Sequence, residues 1–309
     1  MTVPWAASTR PTFSGGPKLG EVLQYLLTGF SLGGIYALIA LGFYIMLAAA
    51  NAVNFTHGDI YMLGAVLAVV QVGLGVPMVV AAIVSMATCA VVGALIERFL
   101  VRPFNREPNA IGWMLTTIAI GIVLESAVTL TYGSLGKPMS SPLAETPIRM
   151  GGAGIYAQEL LLPVVAIALM FGLEAFHKRT MLGRAMRAVA FNRVAAGLMG
   201  IDVNRIALIA FALAAAIGAL AGILVAPVAL ATPTMGVLIG LKAFGVAIVA
   251  GISNARGVVI VGIAYGIIEK FIEGYISTGA RNAVGFSLMI LLLLAFPQGI
   301  FGRKEIAKV

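Results

Sequence analysis

Apolar stretches separated by short polar breaks run along almost the whole chain. A helix needs about 20 apolar residues to cross a hydrocarbon core. Stretches near that length predict helices over 22–47, 60–74, 78–96, 111–131, 159–176, 206–230, 236–252, 258–276 and 283–296. The second is short and is broken by 75–77, so it either crosses or re-enters, and the count is eight or nine. The longest segment between predicted spans on the side away from the basic loops, 132–158, is rich in Gly, Pro and Ser. The predicted fold class is all-α, a polytopic transmembrane helical bundle with eight to nine spans. Residues 1–20 lack a basic start followed by an apolar core, so they read as a flexible polar tail rather than a cleavable signal. Residues 21–309 then form a single transmembrane domain, with a basic segment at 177–205.

Composition sharpens this picture. Of 309 residues, 61% are hydrophobic and 10% charged, against about a quarter charged in soluble domains. Too few polar side chains remain to cover a globule in water, so lipid is the solvent for much of the surface. Four small-residue pairs at four-residue spacing, Gly29/Gly33, Gly218/Gly222, Gly236/Gly240 and Gly262/Gly266, each put two glycines on one helix face. Such faces let a neighbouring backbone come close, within the chain or at a subunit interface.

The net charge of +8 is better explained by membrane topology than by nucleic acid. Thirteen Lys and Arg residues fall on one side of the predicted spans, among them Arg98, Arg102, Arg184, Arg187 and Arg256, and five on the other. The richer side is expected to be cytoplasmic. That puts the C-terminus inside, and the N-terminus outside for nine spans or inside for eight.

Nothing in the sequence supplies energy or catalysis. The phosphate-cradling pattern GxxxxGK[ST] does not occur, and Gly133-Ser134-Leu135-Gly136-Lys137-Pro138 has the wrong spacing. There is no HExxH and no Cys/His cluster, so no metal or other cofactor is expected. With two histidines, His57 and His177, and one cysteine, Cys89, a hydrolytic enzyme has little to rest on.

Three features carry candidate chemistry. The polar break Asn51-Ala52-Val53-Asn54-Phe55-Thr56-His57-Gly58-Asp59 lies between apolar stretches without the basic residues of an ordinary cytoplasmic loop. It is either a capped turn at the membrane surface or an opened backbone lining a pathway, in which Asn51, Asn54, Thr56, His57 and Asp59 meet substrate. Glu125, Lys242, Glu269 and Lys270 lie within predicted spans. Ionisable residues there cost ~3 kcal/mol each at a helix centre and must face protein or water. Lys242 and Glu269 can pair across helices, or with Glu125 can line a route for a polar or zwitterionic substrate. The stretch 183–202 is too polar to span and reads as a short cytoplasmic helix, suited to a soluble partner or to lipid headgroups.

At these segments the chain resembles a known family. Ser31 to Gly42, Val53 to Gly64, Met181 to Ala188, Gly240 to Phe244 and Phe296 to Arg303 are similar, in order, to the branched-chain amino acid ABC transporter permeases, in particular their H-type subunits. The resemblance covers about 23–309 and implies an ABC importer permease fold in the bacterial inner membrane. It implies a second homologous permease, two cytoplasmic ATP-binding subunits and a periplasmic substrate-binding protein as partners, besides the lipid bilayer, and no nucleic acid. The family's NFAHG segment corresponds to Asn54 through Gly58, with Thr56 for the usual alanine. Its EAA-x3-G coupling pattern corresponds to Val194-Ala195-Ala196 and Gly200, with valine in place of glutamate. The resemblance makes Gly183, Arg184, Arg187, Ala195, Ala196 and Gly200 the ATPase-coupling candidates. Acidic residues expected mid-loop are replaced by Phe191-Asn192-Arg193. Implied cargo is branched-chain or other hydrophobic amino acids, with urea, amides or aromatic acids as the alternative. An independent secondary transporter is the reading from a different class.

Overall fold

The computed structural model describes residues 19–50, 52–105, 112–150, 152–251 and 254–302. The tail residues 1–18 and the candidate Asn51 lie outside the described residues. Eleven α-helices order the described chain: α1 (Leu19–Ala50), α2 (His57–Gly73), α3 (Met78–Ile96), α4 (Gly112–Tyr132), α5 (Ala157–Arg179), α6 (Met181–Phe191), α7 (Arg193–Leu198), α8 (Val203–Val225), α9 (Met235–Ala250), α10 (Ala255–Tyr275) and α11 (Arg281–Ala295).

Local chemistry sets the boundaries. Gly75 and Gly251 take left-handed φ angles of 86° and 88° and stop α2 and α9. Thr180, Asn192, Asp202 and Asn254 cap α6, α7, α8 and α10 by accepting a backbone N–H within their first turns. Asn192 also accounts for a difference from expectation. The basic stretch read as one short helix is two, α6 and α7, because the Asn192 cap restarts the chain in a new direction. The helical path of α3 continues through a π turn (Glu97–Val101) and a 3-10 turn (Arg102–Phe104), to 27 residues in all. There Arg102 holds the buried Glu97 carboxylate with two bonds of 3.1 and 2.6 Å.

The interspan stretch 132–158 has regular structure of its own. It contains an antiparallel hairpin, β1 (Pro147–Met150) with β2 (Ala153–Tyr156). The Gln24 side-chain amide joins it to α1, donating to the Gly154 carbonyl and accepting from the Gly154 N–H. Among the described residues the body is helical as expected, with this hairpin added at one end.

Helix α1 is the spine of the bundle and is almost wholly buried from Gly33 to Phe43. It packs antiparallel on α10, where glycines meet backbone. A Cβ at Gly29 would lie 2.7 Å from Ile267 Cα, and one at Gly262 would lie 2.9 Å from Ala37 Cα. Gly222 meets the backbone of Tyr61 and Ala65 in α2, and Gly236 and Gly240 meet Gly58. Each of the four pairs therefore closes a seam inside the chain. Pro163 of α5, which cannot bond like its neighbours, lies directly over Gly34.

Five of the helical segments are long and apolar enough to cross a membrane: Leu19–Ala50, Met78–Phe104, Gly112–Tyr132, Ala157–Arg179 and Val203–Val225. Helices α2, α9 and α11 are apolar but shorter. The 21-residue α10 carries Arg256, Glu269, Lys270 and Glu273. Outward-facing Val79, Leu115, Leu130 and Val164 present apolar side chains on the rim of the bundle, a surface that suits lipid rather than water.

Candidate functional site

The break after α1 builds the first candidate site. Residues 52–56 are not helical and end in a turn at 55–56, after which α2 starts alongside Gly42 of α1, Gly218 of α8 and Gly236 and Gly240 of α9. Asn54 shapes the turn: its side-chain oxygen accepts the Thr56 N–H at 3.1 Å, and its carbonyl accepts the His57 N–H at 3.1 Å. Thr56 anchors it to α4 by donating to the Thr117 carbonyl at 2.5 Å. His57 is fully buried, 3.2 Å from the Ile39 carbonyl through Nε2 and edge-on to Phe43 at 4.8 Å. Its ring fills a notch left by Gly42 of α1 and Gly218 of α8. This is not a capped turn at a surface: Asn54, Thr56 and His57 are each 1% exposed or less.

Asp59, in the first turn of α2, lies beside Gly121, halfway along α4. With Glu125 it lines a cavity of about 310 Å³ whose walls include Phe43, Phe55 and Phe244. Phe244 stands 5.4 Å from Phe43 and 5.3 Å from Phe55, centroid to centroid. Three buried polar atoms around this turn have no hydrogen-bond partner: Asn54 Nδ2, His57 Nδ1 and Asp59 Oδ1.

Lys242 and Glu269 belong to a different cluster. The Lys242 ammonium donates to Glu269 Oε1, and to Asn282 Oδ1 at 2.8 Å. Glu269 also accepts from the Tyr36 hydroxyl at 2.7 Å and pairs with Arg281 at 3.1 Å. Arg281 and Lys270 both reach Glu273, at 3.1 and 2.9 Å. One carboxylate thus ties α1, α9, α10 and the start of α11 together. The eight pathway candidates divide accordingly. Asn54, Thr56, His57, Asp59 and Glu125 gather around the turn and its cavity, Lys242 and Glu269 form the interhelical lock, and Asn51 lies outside the described residues.

The coupling candidates lie together on α6, α7 and the turn after them, at the end of the bundle that also holds Ala50. Arg193 donates to the Ala50 carbonyl at 2.9 Å. Gly183 packs against the backbone of Phe176 and His177, and Ala196 is buried, so these two are structural. Arg184, Arg187, Ala195 and Gly200 are exposed. Gly200 holds a φ of 84°, which favours glycine. Beside them stand apolar side chains turned outward: Phe191 is 92% exposed, with Val194, Leu198 and Met199 also open.

Tyr36, Phe43, Thr117, Gly121, Phe244, Arg281 and Asn282 carry no local signal that marks them as site residues. The one usable signal was the buried charge of Lys242 and Glu269, which demands partners.

Comparison with known proteins gives a consistent result. Residues 25–295 match the family described as branched-chain amino acid transport system, permease component. The chain is 34% identical over 307 residues to the high-affinity branched-chain amino acid transport system permease protein BraD of Pseudomonas aeruginosa, covering 95% of this chain and 100% of that protein. It is 33% identical over 302 residues to LivH of Escherichia coli K12, of the same description, covering 93% of this chain and 97% of that one. Among solved structures, PsaBC from Streptococcus pneumoniae in complex with Fab aligns with a TM-score of 0.49 at 14% identity, over 89% of this chain and 92% of that chain.

Proposed function

This chain belongs to the branched-chain amino acid transport permease family, and on that premise we propose that it is the membrane subunit of an ATP-driven importer of branched-chain amino acids. It is a transport component. It works beside a second permease, two cytoplasmic ATPases and a periplasmic binding protein, and moves cargo by alternating access. In this reading nine helices cross the membrane, α2, α9 and α11 as shortened crossings, with α6 and α7 lying at the cytoplasmic face. The distribution of Lys and Arg supports placing the Ala50 end and the C-terminus inside.

The observation that carries the proposal is the end surface of α6 and α7. Exposed Phe191, Val194, Leu198 and Met199 sit among Arg184 and Arg187. Apolar side chains clustered on a polar, cationic end surface suit a protein partner, and a helix with exposed anchors fits a groove. An ATPase docked there moves α6 and α7. These are joined to α1 through Arg193 and to α5 through Gly183, so the motion reaches the spine of the bundle.

The test is co-purification of the ATPases with tagged chain. Arg187→Glu and Phe191→Asp should each abolish recovery of the ATPases while leaving the second permease bound. If both variants retain the ATPases as well as the unaltered chain does, α6–α7 is a membrane-surface element and the docking assignment fails.

A further inference from the structure

Two carboxylates share the mid-height cavity, and among the described residues no cation answers them. Asp59 is 6% exposed, lines the cavity, and leaves Oδ1 without a hydrogen-bond partner. Glu125 lines the same space. Among the described residues, neither carboxylate forms an ion pair. This contrasts with Glu97, Glu174, Glu269 and Glu273, each of which has a basic partner.

The start of α2 offers Asp59 partial compensation, since helix N-termini favour negative charge. That does not cover two charges at membrane depth, where each is costly. The walls of the cavity complete the chemistry. Phe43, Phe55 and Phe244 present aromatic surface, which attracts organic cations and accommodates an aliphatic chain. A hard metal ion wants six or more oxygen ligands, and this lining is mostly carbon. The size also fits a small ligand held by a few placed polar groups.

We propose that this cavity is a transit site for the protonated amino group of an apolar amino acid, with Asp59 as the principal counter-charge and Glu125 as the second. The choice of an amino acid rests on the cargo reading above. The demand for an organic cation does not.

Trp113 reports on the site, because its ring stacks on Phe55 at 6.5 Å. In a Trp5→Phe background it is the sole tryptophan of the chain. The experiment titrates full-length chain in phospholipid nanodiscs, at a pH that keeps the amine protonated. The probes are L-leucinamide and 4-methylpentanamide, which has the same shape but no amino group. Leucinamide should change Trp113 emission saturably and 4-methylpentanamide should not. Asp59→Asn should weaken leucinamide ~10-fold, as expected for loss of a charged hydrogen bond. Glu125→Gln, at a half-exposed position that tolerates change, should weaken it by a smaller factor. No response to leucinamide, equal response to both probes, an equal response to NaCl, or unchanged affinity in both variants would each overturn the proposal. Should leucinamide binding depend on Asp59 while the complete importer moves no branched-chain amino acid, the amine site stands and the cargo reading falls.

Discussion

Lys242 of α9 and Glu269 of α10 form an ion pair almost wholly removed from solvent, 2% and 0% exposed. Both charges are further satisfied, Lys242 by Asn282 and Glu269 by Tyr36 and Arg281. A buried pair stays ionised only when geometry and extra hydrogen bonds offset the loss of hydration. Here four helices supply them, so this pair acts as the lock between the spine and the α9–α11 face.

Removing the two partners should not cost the same. Glu269→Leu leaves the buried Lys242 with only the neutral Asn282 and takes the acceptor from Tyr36, while Arg281 keeps Glu273, and it is expected to destabilise by about 3–5 kcal/mol. Lys242→Met leaves Glu269 with Arg281 and Tyr36 and should cost clearly less. Thermal unfolding of the purified chain in detergent gives the order, and a reversed order would contradict the lock.

The α1–α10 seam is closed by glycine. Gly33→Ala places a methyl group 2.7 Å from the Ile263 carbonyl oxygen, and overpacking of this kind costs about 1–3 kcal/mol. Gly172→Ala in α5 meets nothing within 4 Å and should leave stability unchanged or slightly raised. Equal melting temperatures for the two variants would show that the seam is looser than described.

His57 and Gly42 should be energetically coupled, because the ring occupies the space a Gly42 side chain would need. Gly42→Ala alone is expected to destabilise. In a His57→Ala background most of that penalty should vanish, giving a coupling of about 1–3 kcal/mol. Simple additivity in the double-mutant cycle would mean that the ring is not held in this notch.

Much of the helical body is legible in the sequence, for physical reasons. An apolar stretch of membrane length has few alternatives to a helix, since lipid offers its backbone no partners. Predicted and observed boundaries accordingly differ by only a few residues, as for 111–131 against Gly112–Tyr132. Charges inside such stretches announce that they need partners, which is why Lys242 with Glu269 is readable. Other features depend on distant parts of the chain and are not. Phe43 and Phe244 lie about 200 residues apart, and nothing local says that they share a cavity with Asp59. The depth of the Asn54–His57 turn is set by Gly42, Gly218 and Thr117, which its own residues do not reveal. The hairpin at 147–156 escapes notice because its strands are only four residues long.

On the proposed function, this chain conducts cargo only when work arrives from separate ATPases. Uptake of radiolabelled leucine into proteoliposomes, with binding protein supplied outside the vesicles and ATP presented to the cytoplasmic face, measures this directly. Uptake is expected when both permeases, both ATPases and hydrolysable ATP are present, and none when the ATPases are omitted. Leucine accumulation driven by this chain in vesicles lacking the ATPases would contradict it.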